Sequence, residues 1–461
     1  MEADLVFRGG TVLTLDEADT TATALAVLGG RIVAVGGDAA VSAHIGPRTR
    51  VEDISGRAVL PGINDTHMHA AWVGATWPMV FFSDDPPAFD QRLVSTEEER
   101  LAALLGAADV AASFGITSYT EPGIGPGEDH GPTGAMGTAT LRLYQRLARE
   151  GRLKQRVNLL MLFGPIDGPS NLAGLVEGLA DYDTATPDPR RFRVAGVKIF
   201  ADGVPITQTS WVHCHYADGS QGRLTVEGAD EAARAEALRR MVVAALRAGH
   251  QVGVHATGDR SIDTILDAVA EADVRDQDLR PYVIHGDLAT PAQLDRMAEL
   301  GVGVTYQAGI GTATEPWVSE TLGAARARAG WAYAEAWRRG VPASLSSDAP
   351  FLSLDWRREV ANADAWMGPA GDQRARLTQL LRAWTAIPAW FDHAESWKGV
   401  IGVGQAADLV VLDRAPTCAA EMPAVEVDAT YLDGLPTYRR GLAPRRARLA
   451  RPEADRRRPA S

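Results

Sequence analysis

Residues 58–70 read AVLPGINDTHMHA, a short apolar run that ends in two histidines one residue apart. Short apolar runs bounded by proline or glycine are typical of buried strands. Side chains along a strand alternate between its two faces, so His67 and His69 point the same way. Two imidazoles on one face can bind a single metal ion. Taken alone this motif is weak, and an ordinary pair of strand histidines is the simpler interpretation.

Seven further apolar strands follow, and amphipathic segments such as residues 230–249 (DEAARAEALRRMVVAALRAG) lie between most of them. Strands that alternate with helices are typical of a parallel α/β fold. Eight such units in about 330 residues predict a (β/α)₈ TIM barrel. The eight candidate strands are AVLPGIND (58–65), GITSYTEP (115–122), RVNLLMLF (156–163), VAGVKIFADG (194–203), HQVGVHATGD (250–259), PYVIHGD (281–287), GVGVTYQ (301–307) and VPASLSSD (341–348).

Both ends of the chain are rich in strands and glycine pairs. We therefore expect residues 1–60 and 395–440 to form one discontinuous β-sandwich domain, and residues 61–394 to form the barrel. Residues 441–461 are crowded with arginine. This stretch could be an arm that binds nucleic acid or membrane. We favour a solvated, poorly ordered basic tail.

Other ligand types recur where predicted strands end: His255, His285 and Asp348 each follow an apolar run and precede a turn. The carboxyl ends of the strands of a barrel converge on one rim. Imidazoles and a carboxylate gathered there suit a divalent transition metal, with zinc the first candidate and cobalt or manganese the alternatives.

Lys198 lies within the apolar strand VAGVKIFADG and is one of three lysines in the chain, with Lys154 and Lys398. An unpaired ammonium is expensive to bury. Because arginine carries nearly all the other positive charge, this position is expected to need an amine. A neutral amine can capture carbon dioxide as a carbamate, which is long enough to bridge two metal ions.

The ordered motifs PGINDTHMH, VKIFADG, VHATGD, IHGD and SSDAP resemble the amidohydrolase superfamily, in the YtcJ-like branch that includes N-substituted formamide deformylases. The resemblance covers residues 4–440, including the return strand GVIGVGQAADLVVLD. It implies that His67, His69 and Asp348 bind a first metal, that carbamylated Lys198 bridges, and that His255 and His285 bind a second. Some relatives use one metal. The stretch VPITQTSWVHCHY (204–216) departs from the branch pattern, which leaves the substrate open.

The resemblance implies a metal-dependent hydrolase that cleaves an amide, formamide or carbamate-like C–N bond of a small molecule. Asp348 would accept a proton from the attacking water and pass it to the leaving amine, with His285 a candidate to stabilise the oxyanion. Hydrolysis of a related ester or thiocarbamate C–O or C–S bond is an alternative. Deamination is disfavoured because no glutamate follows His255 in ATGDRS. A non-enzymatic scaffold is least favoured because the ligand set is complete.

Aromatic residues of the first and fourth loops, Trp72, Trp77, Phe81 and Trp211 among them, are candidates for an apolar substrate wall. Loop packing or a subunit interface is the alternative. Glu121 could be a ligand or pocket group, but we favour a role in positioning His67 or Lys198. His213 and His215 are candidates for substrate contact and weaker ones for metal binding.

The net charge of −13 argues against nucleic-acid partners. No apolar run is long enough to cross a membrane, and the N-terminus lacks a signal-peptide pattern. The two cysteines, Cys214 and Cys418, fit a reducing cytoplasm. We expect a cytoplasmic enzyme that forms a homodimer or homotetramer and takes a small-molecule substrate.

Overall fold

The computed structural model describes residues 1–181, 183–186, 188–369 and 371–441. The predicted basic tail therefore lies outside the described residues except for Gly441. The strands are β1 (Leu5–Leu13), β2 (Thr21–Leu28), β3 (Arg31–Gly36), β4 (Arg50–Asp53), β5 (Ala58–Pro61), β6 (Ile63–Asp65), β7 (Ile116–Ile124), β8 (Arg156–Leu162), β9 (Phe192–Phe200), β10 (Gln251–Ala256), β11 (Tyr282–His285), β12 (Gly303–Tyr306), β13 (Ala343–Leu345), β14 (Leu409–Leu412), β15 (Val427–Leu432) and β16 (Leu435–Arg439).

Most of the helices lie between the central strands, and two of them start with a capping box, at Thr96 and at Thr290. Among the described residues, no helix is both long and apolar enough to cross a bilayer. The helices are α1 (Asp38–Ser42), α2 (Ala70–Thr76), α3 (Glu97–Ser113), α4 (Thr138–Arg149), α5 (Leu172–Ala180), α6 (Glu231–Arg247), α7 (Asp259–Ala272), α8 (Pro291–Leu300), α9 (Ala308–Leu322), α10 (Ala324–Ala329), α11 (Tyr333–Arg338), α12 (Trp356–Trp366), α13 (Gln373–Arg382) and α14 (Ala386–Phe391).

Strands β6 to β13 form one parallel sheet in chain order, which is the predicted barrel. All eight predicted strands are present. The first and last strands meet beyond their carboxyl ends, where Met68 pairs with Ala349 and the amide of Asp348 donates to the carbonyl of His67 at 2.8 Å. The segments that carry His67, His69 and Asp348 are therefore neighbours on one rim.

The first predicted strand, residues 58–65, is divided between two sheets. Ala58–Pro61 is β5 of the terminal sheet, and Ile63–Asp65 is β6 of the barrel. Gly62 lies between them, and a Cβ there would stand 2.1 Å from Thr117 Oγ1 of β7. Glycine is therefore required for the chain to pass this close to β7 as it enters the barrel.

The strands from both ends of the chain form a second sheet, in the order β16-β15-β14-β5-β1-β2-β3, with β4 paired to β1. The discontinuous β domain is thus present, with β5 and β14 antiparallel neighbours. Phe7 of β1 packs edge-on against Tyr431 of β15, with 5.1 Å between their ring centroids. Strands β14 and β5 lie between these two strands in the sheet, so the sheet folds back on itself to bring them together. Arg156 at the base of the barrel holds this domain by donating to both carboxylate oxygens of Asp408, at 2.7 and 3.0 Å.

Candidate metal centre

Three predicted ligands meet at the carboxyl ends of β6 and β13. His67, His69 and Asp348 are 1%, 4% and 5% exposed, and one ligand atom from each lies within 4.8 Å of the others. Asp348 Oδ1 is 3.1 Å from His67 Nε2 and 3.5 Å from His69 Nε2. For ligands about 2.1 Å from a tetrahedral metal, neighbouring ligand atoms lie about 3.4 Å apart. The spacing of these three atoms fits a transition-metal ion.

The hydrogen bonding of these residues also fits a metal. Asp348 Oδ1 is buried and accepts no hydrogen bond within the described residues, although two imidazole nitrogens face it. Buried polar atoms normally have a partner. Two imidazoles and an unpaired carboxylate oxygen directed at one point form a donor set that zinc, cobalt or manganese can use.

Two ligand-bearing residues adopt left-handed backbone, with φ of 51° at Asp348 and 76° at His285. Such conformations cost free energy for residues other than glycine and concentrate at active sites. The surrounding fold therefore holds these two residues in strained backbone conformations, as is common for residues of active sites.

Asp65 links the two segments that carry the cluster. Its carboxylate accepts from the amide of Ser347 at 3.1 Å, from the Ser347 hydroxyl at 2.6 Å and from the amide of His67 at 3.2 Å. Burial raises the pKa of Asp65 to about 7. Asp65 was not among the predicted site residues, although it lies in the NDTHMH motif.

His255 and His285 lie beside this cluster. Their rings are 4.5 Å apart between centroids, and the ring of His285 is 5.3 Å from that of His67. His285 Nδ1 is 2.6 Å from Gln307 Oε1, and His255 Nε2 is 3.1 Å from the carbonyl of Gly203. Each contact occupies one ring nitrogen and leaves the other available as a ligand. Gln307 was missed because no local motif marks it.

Burial lowers the pKa of His67, His255 and His285, which favours the neutral imidazole, the form that binds metal. Burial lowers the pKa of His67 to about 4 and that of His255 to about 3. Burial alone would raise the pKa of Asp348, but the neighbouring His67 imidazole outweighs it and holds that pKa well below the usual range. His67 and His255 therefore offer neutral nitrogens, and Asp348 offers an ionised carboxylate.

Lys198 is 2% exposed, and its Nζ lies 4.6 Å from the centroid of the Phe200 ring. Burial lowers the pKa of its amine to about 7, against the opposing fields of Asp348 and Asp167. The neutral amine is therefore accessible near pH 7. Asp202, a possible counter-ion on the same segment, instead accepts from Trp211, Gly258 and Ser261 at 2.7 to 2.9 Å and fixes the loop after β9.

Glu121 lies behind His69. Its Oε1 is 3.8 Å from His69 Nδ1, and its Oε2 accepts from the Tyr144 hydroxyl at 2.9 Å. Tyr119 contacts Tyr144 at 3.1 Å between hydroxyls, and burial raises the pKa of Glu121 to about 7. A carboxylate that faces the outer nitrogen of a ligand histidine can orient its ring. The histidine that Glu121 faces is thus His69, whereas the sequence suggested His67 or Lys198.

An aromatic wall adjoins His69. We use this name for Trp72, Phe81, Phe89 and Phe351. The Trp72 ring is 5.1 Å from His69 and 4.5 Å from Phe89, and Phe351 is 5.7 Å from Phe89 and 5.4 Å from Phe81. Of these, Trp72 and Phe81 were candidates from the sequence.

Three other predicted substrate residues make contacts elsewhere, and a fourth, His215, is exposed. Trp77 packs against Phe114 at 5.7 Å. The Trp211 indole lies under Arg260 at 4.2 Å and donates to Glu231 at 3.1 Å. His213 is exposed and 2.9 Å from Asp263, and His215 is exposed. Cys214, between them, is also exposed. The described metal cluster contains neither His213 nor His215.

Comparison with known proteins gives a consistent picture. A family model described as the amidohydrolase family matches residues 82–438. The N-substituted formamide deformylase of Arthrobacter pascens is 26% identical, over 95% of this chain and 98% of that protein. A Bacillus subtilis protein that bears the name of amidohydrolase YtcJ is 23% identical over 65% of this chain and 55% of that protein.

Among solved structures, an uncharacterized metal-dependent hydrolase from Pyrococcus furiosus superposes with a TM-score of 0.71 at 19% identity. The superposition covers 90% of this chain and 99% of that chain. At this identity the likeness concerns the fold.

Proposed function

This chain belongs to the amidohydrolase family and is a metal-dependent hydrolase, and we propose that it cleaves an amide, formamide or carbamate-like C–N bond of a fairly apolar small molecule. The observation that carries the proposal is the convergence of His67, His69 and the unpaired oxygen of Asp348 on one point. A bound divalent cation supplies water activation and polarisation of a carbonyl group.

The chain's own residues supply the remaining steps. Asp348 is ionised and buried, so its carboxylate can take a proton from the attacking water and pass it to the departing nitrogen. Neutral His285 donates from Nδ1 to Gln307 Oε1 at 2.6 Å, so its Nε2 carries a lone pair, which can bind a metal ion but cannot donate to the carbonyl oxygen of the substrate. The burial of all these groups excludes bulk water and strengthens each polar contact.

The aromatic wall supports an apolar substituent next to the bond that breaks. Aromatic side chains bury much surface and line ligand sites frequently. The formamide deformylase of Arthrobacter pascens, matched over nearly its whole length, supports formamides as the first class to test.

Carbamylated Lys198 as a bridge between two metal ions is part of this proposal. Its support is the burial of the amine, its lowered pKa and its place four strands into the barrel. His255 and His285 would then hold the second ion, with zinc the first candidate.

Cleavage of a C–O or C–S bond uses the same groups and is the nearest alternative. The turn after His255 disfavours deamination. Its acidic residue, Asp259, accepts from the amide of His213 at 3.0 Å and from Arg326 at 2.7 Å, so these contacts hold it in the turn.

The test is a hydrolysis screen of apolar N-formyl, N-acyl, carbamate and ester compounds with enzyme loaded with zinc, cobalt or manganese. Amine release that disappears on chelation and in His67→Ala would support the proposal. Hydrolysis of esters alone, or release of ammonia from aminopurines alone, would contradict cleavage of an amide, formamide or carbamate-like bond.

A further inference from the structure

A chain of buried polar side chains lies inside the barrel behind His285. Thr305 and Gln307 are two positions apart at the carboxyl end of β12, and Ser344 and Ser346 are two positions apart at β13. Side chains two positions apart on a strand share a face. All four are 0% exposed. Polar groups buried this deeply need partners within the protein.

The hydrogen bonds of this chain are continuous. Gln307 Nε2 donates to Ser346 Oγ at 2.7 Å. Ser346 Oγ is 2.9 Å from Thr305 Oγ1, which is 2.9 Å from Thr66 Oγ1. Thr66 Oγ1 is in turn 2.9 Å from Ser344 Oγ. The chain therefore connects β12, β13 and the segment that follows β6.

The Ser346 hydroxyl sets the orientation of the Gln307 amide. A hydroxyl group can accept one hydrogen bond and donate another. Ser346 accepts from the Gln307 amide nitrogen, and its own hydrogen can point along the chain to Thr305. With its hydrogen directed away from Gln307, Ser346 holds the amide nitrogen on its own side and leaves the amide oxygen on the side of His285.

The amide oxygen determines which nitrogen of His285 carries the hydrogen. Gln307 Oε1 is 2.6 Å from His285 Nδ1. A carbonyl oxygen can only accept, so a neutral His285 donates from Nδ1 and carries a lone pair on Nε2. The ring lies beside two other candidate ligands, with its centroid 4.5 Å from that of His255 and 5.3 Å from that of His67. A lone pair on the free nitrogen is what a metal ion requires of histidine.

We propose that Ser346 is a positioning residue, which selects through Gln307 the tautomer of His285 that can bind a metal ion. Every bond of the chain lies within the protein, so the tautomer is set before any ion binds. The inference rests on the proposed metal site, but not on the substrate or on the bond that is cleaved.

The alternative is the reverse arrangement. A half-turn of the Gln307 amide would place its nitrogen on His285 and its oxygen on Ser346, and each hydroxyl could donate in the opposite direction. His285 would then carry its hydrogen on Nε2, where it could donate to a substrate oxygen but could not bind a metal ion. The position of that one hydrogen separates the two arrangements.

The experiment records ¹⁵N spectra of the ring nitrogens in the full chain, labelled at its ten histidines. Spectra are taken without metal and then during titration with zinc. Comparison with His285→Gln identifies the resonances of His285. In the metal-free wild type, Nδ1 of His285 should be protonated and Nε2 should not, and zinc should shift the Nε2 resonance.

The variant is Ser346→Ala, which removes the hydroxyl that orients the amide. His285 should then exchange between its tautomers, which moves both ring resonances towards averaged values, and zinc affinity at this histidine should fall roughly tenfold. Ser118→Ala is the matched control, because Ser118 is another buried barrel serine and its partner is Lys398. Gln307→Glu in the Ser346→Ala background should restore the single tautomer, since an ionised carboxylate can only accept.

The outcomes separate this inference from the proposed function. A hydrogen on Nε2 of His285 in the wild type, or a single tautomer that survives in Ser346→Ala, would overturn the role of Ser346. Equal changes in Ser346→Ala and Ser118→Ala would reflect a general loss of packing and would also overturn it. The expected tautomers without a zinc-dependent shift of His285 would retain the role of Ser346 and contradict the second metal site.

Discussion

Asp65 and Ser347, 282 positions apart in the chain, are joined by two hydrogen bonds at the rim of the barrel: the Ser347 amide and hydroxyl both donate to the Asp65 carboxylate. Asp65 lies two positions before His67, the first histidine of the His-x-His motif, and Ser347 lies directly before Asp348. This pair holds the first and last strands together where their ligands meet. It therefore sets the distance between His67 and Asp348.

Ser347→Ala should weaken metal binding. The variant removes the hydroxyl that donates to Asp65 at 2.6 Å but keeps the amide donor. Loss of such supporting contacts typically costs 10- to 100-fold in metal affinity, and we expect roughly tenfold here. Zinc affinity, measured by competition with a chromogenic chelator, tests this. Ser396→Ala, at an exposed serine, is the control. Equal affinities in both variants would contradict a role for the pair.

The sequence predicted the barrel because each of its strands is a short apolar run. It indicated candidate metal ligands because most of them come directly after those runs. Asp65, Ser347 and Gln307 escaped prediction because their roles depend on partners far away in the chain. Trp77 was predicted to line the substrate pocket and packs against Phe114. No residue near Trp77 in the sequence indicates this contact.

The scarcity of lysine in the sequence does not by itself identify which lysine belongs to the candidate site. It singled out Lys198, but it applied equally to Lys398, which is also buried. In the structure Lys398 donates to Ser118 at 2.6 Å and pairs with Asp392 at 2.5 Å, in a polar cluster that also contains Asn64. A lysine can thus be kept for an internal ion pair as well as for chemistry, and what distinguishes the two is that Lys198 lies on barrel strand β9, whereas Lys398 lies in the segment between α14 and β14.

Asp348→Asn should abolish most turnover while the protein stays folded. The amide is close in size to the carboxylate but cannot accept a proton from water, and loss of a general base costs roughly 10²- to 10⁴-fold in rate. Turnover per bound metal ion, with metal content measured on the same sample, separates this loss from weaker metal binding. Retention of more than a tenth of the wild-type turnover per metal would contradict the role of Asp348 as the base.

Phe351→Ala should reduce kcat/KM for apolar substrates. Phe351 is half-buried and contacts His69, Trp72, Phe81 and Phe89 in the aromatic wall. We expect a loss of roughly tenfold for an aromatic formamide, equivalent to about 1.4 kcal/mol, and a smaller loss for a short aliphatic one. Leu435→Ala, at an exposed position of β16, is the control. Equal losses for both substrates would contradict the wall as a substrate surface.

Glu359→Gln should make stability less dependent on pH. Glu359 is buried in α12 and accepts from the amide of Gly309 at 2.8 Å, and burial raises its pKa to about 7. The folded protein therefore holds this proton more tightly than the unfolded chain does. The stability contributed by Glu359 is full at low pH and falls as pH rises towards 7, by at most about 1.4 kcal/mol per pH unit.

The glutamine variant lacks this titration. The free energy of unfolding of both proteins is measured by denaturant titration at pH 5 and pH 8. The value for Glu359→Gln minus the value for the wild type should increase between these two pH values. A difference between the two proteins that is constant across this range would show that Glu359 keeps an ordinary pKa.

Lys198→Arg should abolish activity and lower metal content. The wild-type amine is buried with a pKa of about 7, so a large fraction is neutral at pH 7. The neutral amine can add to carbon dioxide and release a proton, which converts a cation near the metal ligands into an anionic ligand. A guanidinium stays protonated and cannot do this. Lys154→Arg is the matched control, because Lys154 is half-exposed and arginine can keep its ion pair with Asp109.

Two measurements decide the role of Lys198 independently of any substrate. Elemental analysis should find two metal ions per wild-type or Lys154→Arg chain and at most one per Lys198→Arg chain. After equilibration with ¹³C-labelled bicarbonate, a carbamate resonance should appear in the first two proteins and be absent from the third. Short carboxylic acids should restore part of the metal content of Lys198→Ala, since they can occupy the place of the carbamate. If Lys198→Arg kept normal metal content and turnover, a bridging role for Lys198 would have to be abandoned.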